Sequence, residues 1–163
     1  MRRYQLVNAV MARYKGDPAS YPPESLHDGI TGSCLCGSIS ITITELDLFS
    51  KPNGHICHCI NCRKFTGSDH SNVMMLPASN VSVSDTKGHL KVYNDTDTGS
   101  GRVSPKSFCS NCGSGVGAFN LDGPLAGFVF VGVGLFPRIS EPAAELFTAH
   151  RHEWMKPIAG IYD

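Results

Sequence analysis

Residues 38–44 (SISITIT) alternate polar and apolar side chains and put three isoleucines on one face, which is the period of a half-buried β-strand. Seven further short runs, 72–76, 81–83, 89–93, 102–108, 115–119, 128–133 and 144–149, are separated by Pro, Gly, Asn or Asp and read as strands as well. The run 128–133 (FVFVGV) is apolar on both faces, so a strand through the centre of the core is expected there. Near the N-terminus the period changes. Tyr4, Val7, Met11 and Tyr14 recur at helical spacing, and residues 15–32, with three prolines and three glycines, form an irregular connector to a domain that begins near Thr31.

Seventeen glycines and ten prolines among 163 residues fit this picture of many turns and a mainly β chain, of a length for one domain with a core of its own. No internal repeat or low-complexity segment interrupts it. Lysine plus arginine equals aspartate plus glutamate at fourteen each, so no overall field attracts phosphate backbones, and nucleic acid is not an expected partner. No apolar run approaches the roughly 20 residues that span a bilayer, so no membrane partner is expected either. Arg2, Arg3, Arg13 and Lys15, with no acid among them, resemble a weak mitochondrial presequence. The segment is short and serine-poor, which favours an amphipathic helix lying on the domain or on a second copy in a homodimer, and a cytoplasmic protein.

The chemistry lies in the cysteines. All seven fall into three groups: Cys34 and Cys36 (C-x-C-G), Cys57, Cys59 and Cys62 (C-H-C-x-x-C), and Cys109 and Cys112 (C-x-x-C-G). An odd count at such close spacing argues against a disulfide framework. Zinc needs sulfurs about 2.3 Å away in a tetrahedron, and a tight turn with a glycine after it, here Gly37 or Gly113, aims two thiolates at one point. Seven ligands divide into four plus three. The two glycine-terminated pairs can clamp distant parts of the domain as a closed structural site, and Cys57, Cys59 and Cys62 remain as a tripod with one free position for water or substrate. His55, His58 or His70 could close that position, although alternation in an extended segment turns His58 away from its neighbours.

The runs GSCLCGSISITI (32–43), HICHCINCRKFTGS (55–68), FCSNCGS (108–114) and HRHEWMKPI (150–158) together resemble the glutathione-dependent formaldehyde-activating enzyme family, which shares its domain with centromere protein V. The resemblance covers about residues 31–158, leaving 1–30 as helix and connector and 159–163 as a tail. It implies a fold of several short, coiled antiparallel sheets of the Mss4-like kind, stapled by two zinc ions per chain. It also implies that Cys34, Cys36, Cys109 and Cys112 hold the structural zinc, with Cys57, Cys59 and Cys62 holding a second, catalytic zinc where glutathione chemistry takes place. The implied reaction is condensation of formaldehyde with glutathione to S-(hydroxymethyl)glutathione, a carbon–sulfur lyase running in reverse. A glutathione carrier or a zinc-stabilised interaction module is the alternative.

Three thiolates on a divalent cation leave a net charge of minus one, which suits a small-molecule thiol or carbonyl as the incoming ligand. Glutathione brings two carboxylates, and Arg63, Arg102 and Lys106 are candidate contacts for them, with Lys64 the weakest of the nearby cations. His58, Asp69 and His70, and more remotely His150, His152 and Glu153, are the titratable groups near the motifs; His58 is the catalytic candidate among them. Trp154, the only tryptophan, is expected to pack in the core or an interface.

Overall fold

The computed structural model describes residues 17–26, 28–45 and 48–158; the N-terminal helix expected over residues 1–16 lies outside them, as does the tail 159–163. In chain order the strands are β1 (Ile30–Ser33), β2 (Ile39–Ile43), β3 (Gly54–Cys57), β4 (Ser71–Pro77), β5 (Val81–Asp85), β6 (Leu90–Asp95), β7 (Ser104–Cys109), β8 (Gly115–Ala118), β9 (Phe128–Gly132) and β10 (Pro142–Leu146). They make a three-stranded sheet, β1-β2-β5, and a seven-stranded sheet, β10-β3-β4-β9-β8-β7-β6. The chain is mainly β, as the alternation in its sequence implies, and α1 (Ile60–Thr66) is the α-helix among the described residues.

The core lies between the small sheet and one face of the large one. Ile39, Ile41 and Ile43 of β2 are fully buried and join Met74, Leu76, Val116, Val129 and Val131 in one cluster. The register explains that membership. Met74 pairs with Val131 and Leu76 with Val129, so the even positions of β4 and the odd positions of β9 share the core face. Gly117, with φ of +152°, pairs with Val131 on that face; a Cβ there would lie 2.1 Å from the Phe130 carbonyl oxygen, so only glycine lets β8 approach β9 so closely.

The opposite face of the large sheet carries Cys57, Ser71, Val73, Met75, Phe130, Ala118 and Lys106, linked by the pairs Cys57 with Ser71, Met75 with Phe130, Phe130 with Ala118, and Ala118 with Lys106. This corrects one expectation. β9 is the central strand of the seven, but it is not buried on both sides: Val129 and Val131 face the core, whereas Phe130 is half-buried on the other face and Phe128 is exposed. Among the described residues no second sheet covers that face; α1 packs on part of it, with Phe65 beneath the Lys106 ammonium, and a pocket occupies the rest.

Three elements escape the sequence reading. β1 and β3 are four residues each, too short to display a period, and α1 spans 60–66 within the metal-binding motif. The last expected strand is also shifted. β10 ends at Leu146, because Phe147 takes the left-handed conformation (φ 56°, ψ 44°) and the chain turns into a 3₁₀ segment, Thr148–His150. β10 runs parallel to β3, so the large sheet is not wholly antiparallel.

Candidate metal centres and the pocket beside one of them

Cys34 and Cys36 lie in the hairpin between β1 and β2, while Cys109 ends β7 and Cys112 follows in the next turn. Gly37 (φ +72°) and Gly113 (φ +75°) close the two turns, donating their N–H groups to the carbonyls of Cys34 (2.9 Å) and Cys109 (2.8 Å). The Leu35 N–H donates to Ser114 Oγ at 3.1 Å and ties one turn to the other. The four sulfurs lie within 4.8 Å of one another, with Cys34–Cys36 at 3.6 Å and Cys36–Cys109 at 3.7 Å. A tetrahedral ion with bonds of about 2.3 Å sets its sulfurs about 3.8 Å apart, so this donor set fits a metal ion. Ser38 is buried with its hydroxyl 3.1 Å from Cys36, and the Ile39 N–H donates to Cys34 Sγ at 3.4 Å. Such donors stabilise thiolate. The Ser38 hydroxyl, with the Asn111 side chain, brings the Cys36 thiol down to about 5, and Ser114 brings Cys112 down to about 7. Burial pushes the Cys109 thiol up, so in the metal-free protein protons are shared unequally and metal binding releases those that remain.

The second cluster is built on one strand end and one helix start. Cys57 closes β3, and Cys59 is extended (φ −63°, ψ 149°), so the two side chains return to the same side while His58 between them turns to the other. Cys59 is the N-cap of α1, its sulfur accepting from the Cys62 N–H at 3.4 Å, and this turn carries Cys62 to its partners. Gly67 ends the helix in the left-handed conformation, with its N–H on the Arg63 carbonyl at 2.8 Å. The three sulfurs lie within 4.8 Å of one another, and among the described residues no histidine or carboxylate joins them. The set has room for one metal ion and supplies three thiolates. Hydrogen bonding from the Cys57 thiol, aided by the Lys106 ammonium and opposed by burial, brings Cys62 down to about 5; Cys57, the proton-holding partner, is pushed up.

His58 is buried on the reverse side of the sheet from the tripod, with Nε2 3.2 Å from Glu145 Oε1. Glu145, itself buried in β10, receives a 2.9 Å hydrogen bond from Arg151 on its other oxygen. Arg151, Glu145 and His58 thus form a chain of contacts that anchors the residue between two ligands. Glu145 does not stand out in the sequence, and Arg151 enters it only as a member of the 150–158 run, with no role of its own. Asp69 lies 3.0 Å from Nδ1 of His70, whose ring is tilted against that of His58 at 5.9 Å. Trp154 does not pack in the core formed by the described residues: it is 71% exposed and stacks on His152.

A pocket of about 620 Å³ opens beside the tripod and is lined by Cys57, Cys59 and Cys62 at one end. Lys106 lines it, with its ammonium 4.0 Å from Cys62 Sγ, 3.9 Å from Asp95 and over the Phe65 ring at 5.5 Å. Asp95 is buried and also accepts from Asn61 Nδ2 at 2.8 Å, which ties α1 to β6. Arg102 lines the same pocket and pairs with Asp122 at 3.8 Å; Arg63, in the last turn of α1, is not a lining residue, and Lys64 is exposed. Phe130 and Phe147 complete the apolar wall, and no cysteine motif could have pointed to them.

Among solved structures, a crystal structure of a Rhodobacter sphaeroides protein is similar to this chain at 22% identity and a TM-score of 0.49, covering 66% of this chain and 87% of that one. No curated protein matches. The family model described as glutathione-dependent formaldehyde-activating enzyme matches residues 29–150, which include all seven cysteines, both candidate metal centres and ten strands of the Mss4-like fold, and the chain belongs to that family.

Proposed function

We propose that the protein is a zinc-dependent carbon–sulfur lyase-type enzyme that joins glutathione to a small carbonyl compound such as formaldehyde, or cleaves the adduct. The observation that carries this reading is the contrast in access: three thiols open onto a pocket of about 620 Å³, whereas the four-thiol set is complete in itself. In this reading Cys34, Cys36, Cys109 and Cys112 hold a structural zinc and Cys57, Cys59 and Cys62 a catalytic one. Zinc at the tripod would supply a fourth position at which a thiol or carbonyl is polarised.

The chain's own residues do the rest. Lys106 offsets the charge of the thiolates from 4.0 Å. Arg102, half-exposed in its pair with Asp122, is the pocket cation most open to a glutathione carboxylate. The Arg151–Glu145–His58 chain holds the Cys57–Cys59 segment from behind, so His58 acts as a positioning residue, not as a base in the pocket. Seven thiols without a disulfide among them suit a reducing compartment such as the cytoplasm.

The test combines metal analysis of the wild type and Cys59→Ser with NMR exchange kinetics for glutathione and formaldehyde. Two zincs falling to one in a folded variant, with wild-type exchange faster than the spontaneous rate and the variant at that rate, are the expected results. Exchange at the spontaneous rate in the wild type would remove the enzymatic reading. Glutathione binding without rate gain would instead favour a carrier, a reading consistent with both pocket cations already having acidic neighbours.

A further inference from the structure

Formaldehyde has two heavy atoms, and a water-sized molecule takes up about 30 Å³. The pocket beside the tripod, at about 620 Å³, is in the size range of sites that enclose whole organic ligands, so the reacting carbonyl alone leaves most of it unfilled. Its two cations already stand beside acids. Asp95, Asp97 and Asp122 line it against Arg102 and Lys106, and those two cations stand 3.8 Å from Asp122 and 3.9 Å from Asp95. Phe130, Phe147, Leu121, Leu125, Pro124 and Val103 give it an apolar wall, beside the polar side chains of Asn61, Thr98, Ser100, Ser104 and His150.

Phe147 gives this wall a specific character. Its backbone is left-handed at φ 56°, a conformation that costs a bulky residue free energy, and its ring is 49% exposed, so burial within the domain does not offset that cost. The same turn places the ring at the pocket, against the Gly99 side of the rim, where a Cβ on Gly99 would lie 3.7 Å from it. Phe130 lines the pocket from the middle of the sheet floor. The Phe147 ring lies tilted against His150 at 5.9 Å; an aromatic ring held half-open at the edge of a pocket that has another in its lining suits an apolar guest of similar size.

We infer that the pocket binds an aromatic or branched-alkyl substituent, so that the thiol, aldehyde or S-adduct presented to the tripod is an apolar compound larger than formaldehyde. This rests on the tripod being the reacting end. It adds that affinity comes from the apolar wall more than from paired carboxylates.

Calorimetric titration of the zinc-loaded protein with 2-phenylethanethiol, 2-mercaptoethanol and glutathione tests it. The phenyl compound should bind roughly 10- to 100-fold more tightly than 2-mercaptoethanol, the range expected for burying one ring. Phe147→Gly suits the left-handed backbone and should keep the fold by circular dichroism while reducing that preference about 10-fold, leaving 2-mercaptoethanol unchanged. Equal binding of the two small thiols, an unaltered preference in folded Phe147→Gly, or glutathione that 2-phenylethanethiol cannot displace would each overturn the apolar subsite while leaving the zinc–thiol reading in place. If none of the three thiols binds, the tripod is not a thiol site, and both readings fall together.

Discussion

The two cysteine clusters share one ligand chemistry and stand on opposite faces of one sheet, yet their surroundings differ in kind. Cys109 points with Ser107 to the core face and meets the hairpin of the small sheet, so the four-thiol cluster joins the two sheets at the edge of the core, with Cys34 and Cys109 buried and Cys36 exposed. Cys57 points to the other face, where among the described residues only α1 packs on the sheet and a pocket remains. In the proposed reading access and consequence therefore separate: one site holds the fold and the other meets a ligand.

The comparison is broken most directly at Cys109. A structural zinc contributes about 10–16 kcal/mol of apparent binding free energy in small zinc domains, so Cys109→Ser should abolish the cooperative melt, whereas Cys62→Ser should still unfold as one unit with one metal fewer by elemental analysis. Two variants that melt alike would remove the distinction. Next in size is the brace behind the tripod. Removing the carboxylate in Glu145→Ala leaves Arg151 and His58 without their partner in a buried place and should cost about 3–5 kcal/mol in urea unfolding, with Glu145→Gln losing less.

Smaller effects sharpen the structural side. Asp85 accepts main-chain N–H groups from Leu90 at 2.9 Å and His89 at 3.0 Å, just where β6 begins opposite Cys109. The Leu90 N–H above all holds its carboxyl below the usual range. A carboxyl with a lowered folded pKa stabilises above its unfolded value near 3.8 and loses that contribution as pH falls through the folded pKa, so Asp85→Asn should flatten the acid limb of stability measured below about pH 4. The smallest change belongs to Leu35, 89% exposed between two ligands: Leu35→Ser should alter stability by less than about 0.5 kcal/mol, because only its main chain serves the site.

Much of the β architecture is legible in the sequence because β2 alternates over its five residues, long enough for one face to declare itself, while β4 and β9 are short apolar runs closed by Pro or Gly. β1 and β3 are too short for that, and α1 begins on a cysteine N-cap, where the metal motif conceals the helix start, so that the clearest sign of the helix is the Gly67 that ends it. The spacing of the cysteines likewise announces thiol clusters, since each turn is local. Glu145 and Arg151 carry no such mark, because what makes them matter is β10 lying beside β3, 87 residues away for the pair His58 and Glu145.

Local geometry, then, is what the sequence by itself determined: which residues alternate, where glycine permits a left-handed turn, and which thiols a single turn brings together. Only the tertiary structure decided which face of the large sheet each cluster occupies, that β9 is central yet half-open, and that Phe130, Phe147, Arg102 and Lys106 meet in one pocket. These depend on strand order and register across long separations, and no short window of residues specifies how distant strands pair.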